Sequence, residues 1–238
     1  MSETLAFIKD RAVKTISAAK QLASTWTWQT ATPAQMQTAL WAITGNSSVT
    51  PPVIGQEEIA SAAEGTRVAA HGHWGTQMAE LHRRTVQAVG MLKNKLQADP
   101  AAFAVVSGLS ASSGSRKETL DEALALESAW DNQAPTWSPT TMNTLTAFKA
   151  LRKQCAEDLR TSFSDTHTTW RAEVNTLYAM ANAVEQADEA WYLDATKVFP
   201  AGTPEGDMIR STVPTTYTPV IPPTPPAPVP PVTATKTT

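Results

Sequence analysis

Charge is what this chain most conspicuously lacks. Asp, Glu, Lys and Arg make up 17% of its 238 residues, against about a quarter in ordinary globular domains, and Thr, Ser, Gln and Asn fill the gap. Apolar residues still reach 42%, so this is not the highly charged, weakly apolar composition of a disordered chain. A surface so poor in charge is weakly protected against self-association. The net charge of −3 removes the broad positive footprint that DNA or RNA binding needs. Arg83-Arg84 and Lys93/Lys95 are too few to supply a local one.

Other absences narrow the field further. The single cysteine, Cys155, excludes an intrachain disulfide framework and reads as a small buried thiol. Met1-Ser2-Glu3-Thr4 is not a basic segment leading into an apolar one, so no secretory signal is expected. No run of about 18 apolar residues occurs, so no transmembrane helix is expected either. The default is a cytoplasmic protein, with export by a route that reads no N-terminal signal left open. There is no Gly-x-Ser-x-Gly nucleophile elbow. Gly108 to Gly114 lacks the Lys that follows a phosphate-binding loop. Neither an enzyme nor a cofactor is expected, and no known family is suggested by these residues.

What is present is helical periodicity. Leu5, Ile8, Ala12, Ile16, Ala19 and Leu22/Ala23 step by three and four, predicting a helix from about Glu3 to Thr25. Thr32-Pro33 is a helix start, followed by Met36, Leu40 and Ile43 and a left-handed stop at Gly45-Asn46. Ser47 to Gly55 is a loop, and a long helix then runs from about Gln56 to Ala98, closed by Asp99-Pro100. Gly65, Gly72, Gly75 and Gly90 each weaken it by about 1 kcal/mol relative to Ala. Such residues imply close approach of a neighbouring backbone, or a break near Gly72–Gly75. Pro100 to Ser115 reads as a flexible connector.

The second half opens with a capping box, Ser115 with Glu118, and a helix from Arg116 to Trp130 packing Leu120, Leu124 and Leu126. Ser138-Pro139 repeats the start signal of Thr32-Pro33. From there to about Asp194 the chain has no Gly and no further Pro. Its first stripe is Met142, Leu145, Phe148, Leu151, Cys155, Leu159 and Phe163. Trp170, Val174, Leu177, Ala181 and Val184 form the second. A division would fall in the Thr-rich patch Ser162–Thr169, with Asp165 as the cap. Gly202 to Gly206 reads as turns. Residues 213–238 form a Pro-rich tail expected to be extended polyproline II. It reads first as a linker or solvated tail; no Arg or Lys flanks its Pro-x-x-Pro spacing closely, which weakens an SH3-ligand reading, and docking on a neighbouring subunit is the alternative.

The two halves echo one another. Thr15 to Trp26 aligns without gaps to Thr119 to Trp130, with Thr, Ala, Leu, Ser and Trp coincident. Thr32-Pro33 with Met36 matches Ser138-Pro139 with Met142. His71/His167, Trp74/Trp170, Leu81/Leu177 and Phe103/Phe199 share one offset. The expected fold is therefore all-α: an elongated helical bundle made by tandem duplication of a three-helix unit. One helical domain spans residues 1–212, with halves at about 1–108 and 115–212, before the tail.

Two site types emerge. His71 and His82 are eleven residues apart and face the same side of a helix, with Glu64 nearby, so this face is the candidate for a metal or small ligand. The Glu-x-x-His pairs of carboxylate-bridged diiron bundles are absent. His71 and His167 fit better as polar residues beside Trp74 and Trp170, bonded across a helix pair. Eight Trp against three Tyr is the oddest feature. Trp26, Trp28, Trp41, Trp130, Trp137 and Trp191 pack cores and bundle ends on one reading, and form a subunit interface on another. Insertion into a lipid interface lacks the usual basic face. The expected function is a non-catalytic structural or scaffold protein that forms a homo-oligomer or holds a protein partner.

Overall fold

The computed structural model describes residues 3–111, 114–139 and 144–213, and these are all-α. In order come α1 (Glu3–Leu22), α2 (Pro33–Thr44), α3 (Gln56–Leu96), α4 (Pro100–Ser107), α5 (Arg116–Gln133) and α6 (Leu145–Lys153). A π-helical turn, Gln154–Asp158, leads into α7 (Leu159–Val198), and α8 (Pro204–Arg210) follows. The chain divides into two compact units, Met1–Leu40 with Ala181 onward, and Trp41–Met180. Among the described residues no helix is long and apolar enough to cross a membrane.

In the first unit, Leu5, Ile8, Ala12, Ile16, Ala19 and Leu22 of α1 are all buried, as their spacing predicts. The helix stops at Leu22 because its carbonyl accepts from the Thr25 and Trp26 backbone amides, both at 2.8 Å, and from the Thr25 hydroxyl. Thr32 and Gln35 cap α2 reciprocally, side chain to backbone in both directions. From the last part of α7, Val184, Asp188, Trp191 and Ala195 are buried at helical spacing. The turns expected at Gly202–Gly206 are instead the entry to α8. Thr203 accepts from the Gly206 amide at 3.1 Å, Pro204 is the first helical residue, and Ile209 is fully buried. Two glycines concealed a Thr-Pro start like that of α2.

The second unit begins where α2 ends. Gly45 has φ +78°, the left-handed stop its position predicts. The loop after it closes through paired bonds between Asn46 and Val53. Its far end, Gly55, lies so close to the backbone of Ile43 and Gly45 that a Cβ there would collide with both. The continuous α3 that follows has 41 residues, about 60 Å of helix. Neither reason expected for its glycines is met among the described residues. There is no break, and a side chain at Gly65, Gly72 or Gly90 would meet nothing within 4 Å.

The connector expected from Pro100 is the helix α4. Asp99 accepts from the Ala101 and Ala102 amides at 3.1 Å, and Ala102 and Val106 enter the core. In α5 the capping box is complete, but the buried stripe is Thr119, Ala123, Leu126, Ala129 and Trp130, while Leu124 is 48% exposed. Of the three leucines expected to pack, Leu126 is fully buried and Leu120 lies partly buried against the core, and Leu124 alone faces away. Trp130 sets the register: it is fully buried against Phe148, and its indole N–H donates to the Trp137 carbonyl at 3.0 Å.

The helix expected to start at Pro139 starts at Leu145, with the Thr144 hydroxyl capping the Ala147 amide. Met142 lies outside the described residues, as does the tail from residue 214. Leu145, Phe148, Leu151 and Cys155 are buried as their stripe predicts. No turn interrupts residues 162–169. The Thr166 and Thr168 hydroxyls bond back to the Phe163 and Ser164 carbonyls at 2.9 Å, so Asp165 is an exposed helical residue rather than a cap. The irregularity falls earlier, at the π turn.

The α5 register is directly testable. Leu126→Ala should lower unfolding stability by about 2–5 kcal/mol, and Leu124→Ala by no more than about 0.5 kcal/mol. Denaturant titration of both variants measures this, and equal losses would contradict the packing described.

Candidate functional site

Two ring clusters dominate the partly exposed surface. The first joins α3 to α7 within the second unit. Phe163 stands at its centre, 5.2 Å from the His71 ring and 5.6 Å from Trp74, on which it stacks. His167 stacks on the other side of Phe163 at 5.9 Å and meets Trp170 at 5.4 Å. Guanidinium groups close both ends, Arg116 at 4.3 Å over Trp74 and Arg67 at 4.7 Å over Trp170. The His-x-x-Trp echo of the sequence is thus a spatial meeting of the two motifs. Phe163, Arg67 and Arg116 went unrecognised as members, since only the fold brings Arg116 to α3.

Trp74 and Arg67 are held from outside this run. Trp74 donates its indole N–H to the Cys155 carbonyl in the π turn at 3.1 Å. Arg67 forms a two-point pair with Glu64 at 2.6 and 2.9 Å. Arg116 donates to His71 Nε2 at 3.0 Å. Gln56 ties the start of α3 to the carbonyl and carboxylate of Glu173. Of the two histidines expected to bond across a helix pair, His71 does so through Arg116 of α5. His167 Nδ1 is buried without a partner, and burial, with Arg171 and Arg67 beside it, lowers its pKa from the ordinary value.

The metal candidates are not brought together. His71 and His82 share a side of α3, but eleven residues of helix separate them by about 16 Å. Glu64 is engaged by Arg67, and His82 Nδ1 is buried without a partner. Among the described residues no three His, Cys, Asp or Glu side chains stand together as a set that could hold an ion. The Cys155 thiol is fully buried, and burial raises its pKa to about 11, which withholds the nucleophilic thiolate.

The second cluster belongs to the first unit. The Trp26 ring lies 6.3 Å from Trp191 and meets Phe199 edge-on at 6.1 Å. Trp28 donates its indole N–H to Asp194 at 3.1 Å, and Lys197 pairs with the other carboxylate oxygen at 2.8 Å. Lys197 first, then Trp28, holds the Asp194 carboxyl below its usual range. Beside them opens a cleft of about 270 Å³ whose walls include Trp26, Trp28, Thr30, Asp194 and Val198. Of the six tryptophans picked out as interface candidates, Trp28, Trp130 and Trp191 are buried within their own units. Trp26, Trp41 and Trp137 keep part of their rings accessible.

One buried polar group stands apart from both surfaces. Asp188 is 2% exposed, and its Oδ2, the Arg11 Nε and the Thr15 hydroxyl have no hydrogen-bond partner among the described residues. Burial pushes the Asp188 carboxyl up to about 7, Glu185 adding to the rise and the Arg11 charge opposing it. A carboxyl with a raised folded-state pKa favours folding while it is protonated. Its contribution is complete below the ordinary value of 3.8 and is lost as pH rises through about 7. The melting temperature should therefore fall from pH 4 to pH 7.5, and Asp188→Asn should flatten that fall. Parallel melting profiles for the two proteins would contradict it.

No protein-family model, curated protein or solved structure matches this chain, so its function has to be read from these two surfaces.

Proposed function

We propose that the protein is a non-catalytic structural or scaffold component of the cytoplasm that acts through self-assembly or partner binding, with the first half of α3 as the contact between copies. The observation that carries this reading is a pair of helices without a core. No residue from Ser61 to Gln77 of α3 is fully buried, nor any from Ala156 to Thr176 of the chain that faces it. A helix pair joined mainly by half-buried rings leaves its outer faces uncovered by the described residues, and helices in a stable layer normally bury such faces against a further element.

The outer face of α3 suits a second helix. Ala62, Gly65, Thr66, Ala69 and Gly72 are exposed, and Val68 is 54% exposed. The only charged side chains between Ser61 and Gln77 are Glu64 and Arg67, which pair with each other. Gly65 and Gly72 cost the helix about 1 kcal/mol each, and no described residue fills the space they leave open. Close approach of another backbone would use it.

A tandem duplication fits the same reading, since a repeated unit offers similar faces twice. Helices of 20, 12, 41 and 8 residues are followed by α5, α6, α7 and α8 of 18, 9, 40 and 7 residues. Burial coincides at Leu81/Leu177, Thr85/Ala181, Ala88/Val184 and Leu92/Asp188. Thr15/Thr119, Ala19/Ala123 and Leu22/Leu126 also coincide.

Light scattering on the full chain across a concentration series tests assembly. The mass should rise to a defined multiple of the chain. Ala69→Glu, which places a charge on the α3 face, should raise the concentration of half-dissociation by on the order of ten-fold or more. A strictly monomeric mass at every concentration would overturn the proposal.

A further inference from the structure

We infer that the cleft beside Trp26 and Trp28 is the docking site of the chain's own Pro-rich segment, Pro222–Pro231. The cleft is open and its volume, about 270 Å³, falls just short of the roughly 300 Å³ at which enclosed small-molecule sites begin. An extended chain lying along indole faces needs no enclosure. Seven of the ten residues from Pro222 to Pro231 are proline, the others being Thr224, Ala227 and Val229. Such a sequence prefers polyproline II before it binds anything, so it loses little entropy on docking, and aromatic-lined grooves are its usual receptors.

Charge complementarity agrees. Proline-rich ligands of SH3-type grooves rely on basic flanking residues meeting acidic groups, and this tail from residue 214 onward holds one charged residue, Lys236. The cleft asks for none. Its carboxylate, Asp194, already receives Lys197 on one oxygen and the Trp28 indole on the other. What it presents is the accessible part of the Trp26 ring, half-exposed Val198, and the polar side chains of Thr27 and Thr30. An uncharged proline-rich strand matches that surface and a basic peptide does not.

Chain length decides in favour of the same molecule. The described chain ends at Val213, just past α8, and α8 packs against α1, the helix that leads to Trp26. α1 has 20 residues, so it is about 30 Å long. Pro222 lies nine residues beyond Val213, a reach of about 28 Å at 3.1 Å per residue. Gly206 of α8 lies against the Pro200 carbonyl, next to Phe199, whose ring meets Trp26, so α8 starts beside the cleft and the segment can reach it from its own attachment point. A tether of that length holds it at an effective concentration in the millimolar range, above that of any second copy in dilute solution. The docked tail would cover the part of Trp26 otherwise open to a partner. The inference does not depend on assembly through α3.

The test uses the full chain with its tryptophan indoles labelled with nitrogen-15 and a nitroxide on the thiol introduced by Thr224→Cys. Buried Cys155 leaves the new thiol as the reactive one. In the Ala69→Glu background, at a concentration where scattering gives a monomer, the Trp26 indole signal should lose intensity several-fold relative to Trp74. Adding Pro225→Gly and Pro226→Gly should restore it. No loss at Trp26, or loss that survives the two glycine substitutions, would overturn the inference. So would loss seen only when isotope and nitroxide are on different chains, which would place the tail on a second copy. Scattering reports self-assembly separately, so failure of either idea is read without the other.

Discussion

Sideways contact between a few large rings is the interaction on which this fold rests. Helices of about forty residues satisfy their own backbone hydrogen bonds but gain lasting stability from packing, and this chain has little charge for lateral pairing. Tryptophan supplies the contact instead. Trp130 anchors the core of one unit and Trp191 that of the other, both fully enclosed. Between Ser61 and Gln77 of α3 no residue is enclosed, and the run from Trp74 through Phe163 and His167 to Trp170 takes that part. Arginine at each end matters because an exposed ring face is otherwise left to water. A guanidinium covers it and keeps its own hydration.

Where the sequence was readable, a local rule settled the matter. The stripe of α1, the Thr32 start, the Gly45 stop and the Ser115 capping box are all decided within a few residues, and the fold keeps each of them. Helices α4 and α8 were missed although each begins with the same polar-residue-plus-proline signal as α2. Both are short, and adjacent Ser and Gly gave the impression of loop. Leu124 misled because two stripes of similar spacing exist on α5, and only contact with Phe148 chooses between them. The Thr-rich patch misled for a related reason. Threonine is a poor helix former, yet its hydroxyl can bond back to the preceding turn.

The ring clusters were half visible. Spacing singled out the two His-x-x-Trp motifs, and periodicity placed Phe163 on a stripe without saying what it would touch. That Arg67 and Arg116 cover the outer tryptophans could not be read, because their partners are distant in sequence. The same limit hid Asp188, whose neighbour Arg11 lies at the opposite end of the chain. The metal reading of His71 and His82 failed for a simpler reason: residues sharing a helix face are also separated along its axis.

The π turn at Gln154–Asp158 acts as a setting of rotational phase. A π turn takes in about one more residue than an α turn, so everything after it is rotated by roughly 100° relative to an uninterrupted helix. Phe163, His167 and Trp170 owe the direction in which they point to that single extra residue. Length and angle are thereby coupled in this stretch. Removing one residue would shorten the helix by only about 1.5 Å, yet it would turn the whole aromatic row away from α3. Spacing between Cys155 and Phe163 is therefore under a constraint that residue identity alone does not express.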